Sequence, residues 1–300
     1  MKLINNKNKS NAIKNVAVLG LGKISLELSK NLVNRGAIVI GFTSDKERSK
    51  ILKKIGVKVI DRNGFDKVIK YCDSVIITAP PNELGCPIID KYHESLSNVN
   101  WIGYLSSTGV YGDHKGRKVF ENSYLKPTSK NSILRLNAEN IVRNFAQRYK
   151  IPLCIFRISG IYGPERNIIQ QILSNSFVPI HKKDHFFNRI HEYDIARVLG
   201  SAAISSKCTG IINLSDDSPT SQIEVAKYAY KLLHKKLPVI QNYEDVCKSL
   251  SPMSRSFWES SRRIDNSLLK KRYGNMIFPT YKEGLNNIYK DYTNILSTKL

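Results

Sequence analysis

Six short apolar runs alternate with segments of helical period between residues 16 and 156, and nothing else in the chain restricts its fold as much. The apolar runs cover 16–19, 37–42, 57–60, 74–78, 101–105 and 152–156. Helical spacing falls at 24–34, 46–55, 65–71, 88–96 and 132–149, and Gly36 and Gly56 follow the first two helices as stop signals. Runs that are apolar throughout belong to strands buried on both faces. Strand and helix in turn predict a parallel sheet covered on both sides. Right-handed crossovers make that sheet doubly wound. The fold class expected is α/β.

The later chain is less regular. A helix is expected at 190–205, a last strand at 211–214, and helices at 222–233, 243–250, 265–273 and 281–296. This tail reads as a smaller, mostly helical lobe over the carboxyl edge of the sheet. The division expected is a disordered lead-in at 1–14, a sheet domain at 15–165 to which 186–215 returns, and a lobe formed by 166–185 and 216–300.

Composition removes several classes. No stretch approaches the ~20 apolar residues of a membrane-spanning helix. Residues 1–15 are polar and lack the apolar centre of a secretory signal, so a cytoplasmic protein is expected. Five scattered cysteines, with no Cys-x-x-Cys pair, fit reduced thiols packed as small hydrophobes. His181 and His185 have no third partner in the sequence, so no metal site is expected. The formal charge of +22 would suit nucleic acid, but the cations are dispersed and not interleaved with aromatics. A basic surface that favours small anionic ligands is the better reading.

The segment Val16-Ala17-Val18-Leu19-Gly20-Leu21-Gly22-Lys23-Ile24-Ser25 follows G-x-G-x-x-G with serine in the third place. Gly20 permits a tight strand-to-helix turn, and Gly22 lets backbone approach a pyrophosphate. The helix start at Lys23 and Ile24 offers amides to the phosphates. Its place between a strand and an amphipathic helix is the confirming context for a Rossmann dinucleotide site. Ala79 and Pro80, ending the fourth strand, are expected beside the cofactor. After the second strand the chain reads Thr43-Ser44-Asp45-Lys46-Glu47-Arg48. No acid sits at the strand end to bind a ribose 2′-hydroxyl. Ser44, Lys46 and Arg48 could receive a 2′-phosphate, while Asp45 could serve NAD, so NADP is favoured over NAD.

Three later segments resemble the extended short-chain dehydrogenase/reductases, the NAD(P)-dependent epimerase/dehydratase group. They are Leu105-Ser106-Ser107-Thr108-Gly109-Val110-Tyr111-Gly112, Arg157-Ile158-Ser159-Gly160-Ile161-Tyr162-Gly163-Pro164, and Asn188-Arg189-Ile190-His191-Glu192-Tyr193-Asp194. In the tail, Arg263-Ile264-Asp265-Asn266 and Pro279-Thr280-Tyr281-Lys282-Glu283-Gly284-Leu285 resemble an atypical branch of nucleoside-diphosphate-sugar epimerases. The resemblance implies that Ser107 hydrogen-bonds the reacting oxygen and that His191 and Asp194 orient structure. The family's catalytic Tyr-x-x-x-Lys is missing. Anchoring on Glu139 puts Arg135 at the lysine and Asn131 at the tyrosine. A guanidinium keeps its proton, so Arg135 could hold the nicotinamide ribose without shuttling protons. Tyr124, just before the helix, is the expected substitute acid, ahead of Tyr111 and Tyr162.

Two functions follow from the resemblance. One is an epimerase, dehydratase or reductase acting on an anionic small molecule such as a nucleotide sugar. The other is a dinucleotide-binding sensor or scaffold without turnover. A homodimer is implied by the family alone. Phe186, Phe187, Phe257 and Trp258 fall in the expected lobe, where core packing is favoured over stacking on a base.

Overall fold

The computed structural model describes residues 13–61 and 63–297, so the lead-in expected at 1–14 lies almost wholly outside the described residues. The first elements are β1 (Asn15–Leu19), α1 (Lys23–Asn34), β2 (Ile38–Gly41), α2 (Lys46–Lys54), β3 (Lys58–Val59), α3 (Phe65–Ile69), β4 (Ser74–Ile77), α4 (Pro87–Leu96) and β5 (Trp101–Ser107). A 3-10 turn at Thr108–Tyr111 leads to β6 (Lys118–Val119), α5 (Lys130–Arg148), β7 (Leu153–Ile158), β8 (Gly160–Tyr162) and α6 (Ile168–Leu173). Next come β9 (Ile180–His181), β10 (Arg189–His191), α7 (Glu192–Ser205), β11 (Gly210–Leu214) and α8 (Gln222–Leu232). The chain ends with β12 (Gln241–Asn242), α9 (Tyr243–Val246), α10 (Pro252–Trp258), β13 (Arg263–Ile264), α11 (Ser267–Tyr273) and α12 (Tyr281–Ser297). None of the described helices is long and apolar enough to cross a membrane.

Seven parallel strands make the main sheet, in the order β11-β7-β5-β4-β1-β2-β3. From β1 the chain winds outward to β3, then returns to β4 on the other side of β1 and winds outward again. The reversal leaves a crevice at the carboxyl ends of β1 and β4, where open α/β sheets bind their ligands.

Alternation within each strand feeds two cores. Val16 and Val18 of β1 join Leu28 and Leu32 of α1 and Val198 and Leu199 of α7 on one face. Ala17 and Leu19 join Phe65, Ile89 and Val142 on the other. Each fully buried leucine or valine here stabilises the fold by about 1.5–3 kcal/mol. A third cluster packs Ile169 and Ile172 of α6 against Val225 and Ala229 of α8 and Leu285 and Ile288 of α12.

Two expected helices change their bounds. The helix expected at 190–205 begins only at Glu192, because Arg189–His191 pairs with β8 and the His191 ring accepts a hydrogen bond from the Tyr193 amide, capping α7. The helix expected at 243–250 stops at Val246. A new one starts at Pro252, whose fixed φ suits a first helical position, behind a Ser251 cap. The tail also contributes strands: β12 pairs with β9, and β13 with β6.

Below the carboxyl ends of β5 and β7 lies a buried polar network. Arg157 of β7 donates to Glu139 of α5 through Nε (3.1 Å) and Nη2 (2.8 Å). Ser106 also donates to the Glu139 carboxylate, and Arg157 Nη1 reaches the Glu121 carbonyl at 3.2 Å. The guanidinium stands 4.9 Å from the Tyr111 ring centre. These contacts hold α5 in register with the strands that end at the cleft.

Candidate functional site

The turn from β1 into α1 is built around Gly20. Its φ is +108°, and a Cβ there would lie 2.6 Å from the Ala79 amide nitrogen, so only glycine lets β1 turn against the loop after β4. That loop cannot retreat, because Ala79 N–H donates to Leu19 O at 2.9 Å. The Gly20 carbonyl accepts from Ser25 Oγ (2.7 Å) and from the Thr78 hydroxyl. Serine in the third small position is therefore buried and bonded to the turn itself. A Cβ on Gly22 would meet no atom within 4 Å.

α1 has no side-chain cap and no acid in its first turn. By contrast, Asp45, Ser129, Asn167 and Ser221 cap α2, α5, α6 and α8. An uncapped helix start beside an open backbone fits a pyrophosphate, which brings its own acceptors. Lys23 opens α1, and its side chain lies outside the described atoms. Ile24 is half-buried against the core. Ser44 is exposed after β2, and the Asp45 carboxylate is engaged by the Arg48 amide at 3.0 Å. Arg48 Nη1 reaches back to the Gly22 carbonyl at 2.7 Å, which brings a cation to the glycine turn.

A cleft of about 420 Å³ opens beside this corner, at the carboxyl ends of β4, β5 and β7. Pro80, Ser107 and Arg135 line it, facing Phe186, Phe257 and Arg262. Ala79 stays at the glycine corner. Ser107 Oγ accepts from the Gly109 amide at 3.0 Å, and no described group takes its proton. Ser129 caps α5 and bonds Ser132 Oγ at 2.8 Å, placing a second hydroxyl beside Gly109. Arg135 Nη1 donates to Leu105 O (2.9 Å) and Tyr104 OH (3.2 Å), leaving Nε and Nη2 without a described acceptor.

The structure does not bring Tyr124 to the cleft. Its side chain is 85% exposed and absent from the lining, although it adjoins α5 in sequence. Tyr111 and Tyr162 are buried, donate to Asn213 Oδ1 and Thr280 O, and are pushed above the usual tyrosine range by burial. A tyrosine that shuttles protons near neutrality needs the opposite shift.

Arg262 is the cleft group that sequence reasoning misses. Its Nη1 donates to Gly112 O at 2.9 Å, while Nε is buried without a partner. Burial pulls this guanidinium down to about 10. An anion in the cleft would satisfy it. The only sequence signal is its place directly before Arg263-Ile264-Asp265-Asn266. The aromatics divide: Trp258 is buried against His185 and Phe187, whereas Phe257 is 59% exposed and lines the cleft with Phe186 and Phe187. Among the described residues no three His, Cys, Asp or Glu side chains gather as metal ligands would.

His191 and Asp194 both organise the site's base. Asp194 accepts from the Ile277 (2.7 Å) and Phe278 (2.9 Å) amides, tying the approach to α12 onto α7. His191 is buried, and burial pushes it down to about 4. The unfolded chain takes up that proton near about pH 6.5 and the folded chain only near about 4, so stability is lost as pH falls through this window. Asp216, pushed up to about 7 by burial, works in the opposite sense. The comparison with His191→Asn, which keeps a capping oxygen, separates the two. From about pH 7 to about pH 4.5, urea denaturation should show wild type losing about 2–3 kcal/mol relative to the variant. An unchanged difference would contradict the assignment.

Residues 89–202 match the model of the NAD dependent epimerase/dehydratase family. That match covers less than half of the chain. Over 202 residues it is 24% identical to dTDP-D-glucose 4,6-dehydratase of Dictyostelium discoideum, a match covering 61% of this chain and 45% of the relative. The chain thus spans less than half the length of that curated relative. Among solved structures, a conserved protein of unknown function from Silicibacter pomeroyi is similar over 93% of this chain and 99% of its own, with a TM-score of 0.86 and 29% identity. The dTDP-glucose 4,6-dehydratase of Bacillus anthracis, in complex with NAD, shares the fold over 94% of this chain and 97% of its own, with a TM-score of 0.75 and 17% identity.

Proposed function

We propose that this protein binds a nicotinamide dinucleotide across the β1–α1 corner and acts on a nucleotide sugar, or a related anionic hydroxyl or carbonyl compound, in the adjoining cleft. The observation that carries this reading is the corner itself: Gly20 locked against Ala79, Gly22 open, and α1 uncapped. The NAD named with the Bacillus anthracis structure supports it. Such a cofactor supplies a hydride donor or acceptor. In this reading 15–165 with 186–215 holds the dinucleotide, and 166–185 with 216–300 forms the substrate lobe. Ser107 donates its free proton to the substrate oxygen, Arg135 offers its remaining N–H groups to the ribose, and Arg262 takes the anionic part of the substrate.

Arg48 beside Gly22 favours NADP, because a guanidinium matches the geometry of a 2′-phosphate. Arg48→Glu is expected to weaken NADPH at least about tenfold and NADH by less than about threefold. Parallel titrations of the two cofactors check this, and equal losses would remove the NADP preference.

One observation favours a second reading, a sensor or scaffold without turnover. The described lining of the cleft holds no Tyr, His, Asp, Glu, Cys or Lys, so no side chain there exchanges a proton near neutrality. Turnover would then draw its proton from water through Ser107 and Ser132. A panel of nucleotide sugars and carbonyl compounds, assayed with NADPH and NADP, decides. Turnover that drops at least about a hundredfold in Ser107→Ala supports the enzyme. Saturable cofactor binding with no turnover on any member supports the second reading.

A further inference from the structure

Away from the cleft, two thiols share one buried spot. Cys154 lies in β7 and Cys208 in the turn before β11, and the two strands are parallel neighbours with Gly210 beside Cys154. Their Sγ atoms are 2.8 Å apart, so reaching an S–S bond of about 2.05 Å takes less than an ångström of motion. Both are free thiols here, and among the described residues no other two cysteine sulfurs lie within hydrogen-bond reach.

The two sulfurs are not equivalent. Cys208 contacts the Cys154 thiol, through a hydrogen bond that either sulfur can donate, the Tyr273 hydroxyl and Arg272 Nη1, the last at 3.5 Å. Donation by Cys154 is the largest influence and holds Cys208 below the ordinary thiol range against the opposing effect of burial. Burial pushes Cys154 up. Cys208 keeps 8% of its surface while Cys154 keeps none, so a small oxidant meets Cys208 first. A thiolate stabilised by a cation, with a protonated thiol in contact, is the arrangement a two-cysteine oxidation needs.

We propose that Cys154 and Cys208 are a peroxide-sensitive dithiol in which Cys208 is attacked first and Cys154 resolves it. The Cys208 thiolate displaces hydroxide from hydrogen peroxide, forming an S–O bond and giving the sulfenic acid as the O–O bond breaks. Cys154 sulfur then attacks Cys208 sulfur, losing its proton as water leaves with the sulfenic oxygen. Two thiols and one peroxide become one disulfide and two waters. The bond links positions 54 residues apart and fastens the edge strand β11 to β7.

The test uses the whole chain treated with hydrogen peroxide and read by intact mass and by peptide mapping without reductant. The expected result is a loss of two hydrogens, a Cys154–Cys208 linked peptide, and full reversal by dithiothreitol. Cys154→Ser should halt at a Cys208 sulfenic acid trapped by dimedone. If Cys154→Ser does not fold, the wild-type peptide map decides alone. Oxidation that falls on Cys72, Cys86 or Cys247 and leaves Cys154 and Cys208 unlinked overturns the proposal. So does a link that forms only after unfolding in urea.

Discussion

Glu139→Ala is expected to lower the stability of the protein by about 3–5 kcal/mol. Arg157 is 1% exposed and Glu139 is fully buried, so removing the carboxylate strands a guanidinium that water cannot reach. No other described carboxylate lies within salt-bridge distance of Arg157. Its remaining bond, to the Glu121 carbonyl, leaves the charge uncompensated. Ser106 loses its acceptor in the same step. Removing both charges is a different experiment. Glu139→Leu with Arg157→Met deletes the desolvated pair together, and such exchanges are often neutral or better. Urea denaturation of the single and double variants checks this. A single variant within about 1 kcal/mol of wild type would mean that the pair does not carry the load assigned to it.

The second large effect is on binding. Gly20→Val would place Cβ 2.6 Å from Ala79 N and 2.7 Å from Thr78 Oγ1, at a φ of +108° that a branched residue does not tolerate. Because the β4 loop is bonded to Leu19, relief has to come from the turn, and the turn presents the α1 amides. A stability loss of about 1–3 kcal/mol is expected. NADPH affinity should fall at least about a hundredfold. Gly22→Ala separates the two consequences. Its Cβ meets nothing in the protein, so stability should hold to within about 1 kcal/mol while binding still weakens, because the methyl would stand where the proposed phosphate approaches. Equal binding by wild type and Gly22→Ala would place the phosphate elsewhere.

The glycine turn from β1 into α1 is legible in the sequence because it is local. Gly20, Gly22 and Ser25 lie on one turn, and the apolar runs around them have the pitch of a parallel sheet. The alternation also yields the parallel, doubly wound sheet, since a parallel neighbour demands a crossover helix, whereas the strand order itself comes from the fold. Legibility ends where function depends on residues far apart in the chain. Glu139 and Arg157 both stand in segments that can be picked out by resemblance, but their pairing across α5 and β7 needs the fold. Tyr124 adjoins α5 in sequence, yet its loop turns the ring to solvent. Arg262 is one of 47 Lys and Arg residues, and no pattern separates the cation with an orphaned Nε from the solvated ones. The strand at Arg189–His191 looks helical because Ile190 continues the apolar period of α7, while its pairing with β8 outweighs that local signal.

Everything assigned to the cleft presupposes that the α1 amides hold a pyrophosphate. Calorimetric titration of the purified chain with NADPH and with NADH measures this without reference to any substrate. Saturable one-to-one binding in the micromolar range, abolished by Gly20→Val in a variant that remains folded, is the expected result. No heat of binding for either nucleotide at millimolar concentration would contradict it.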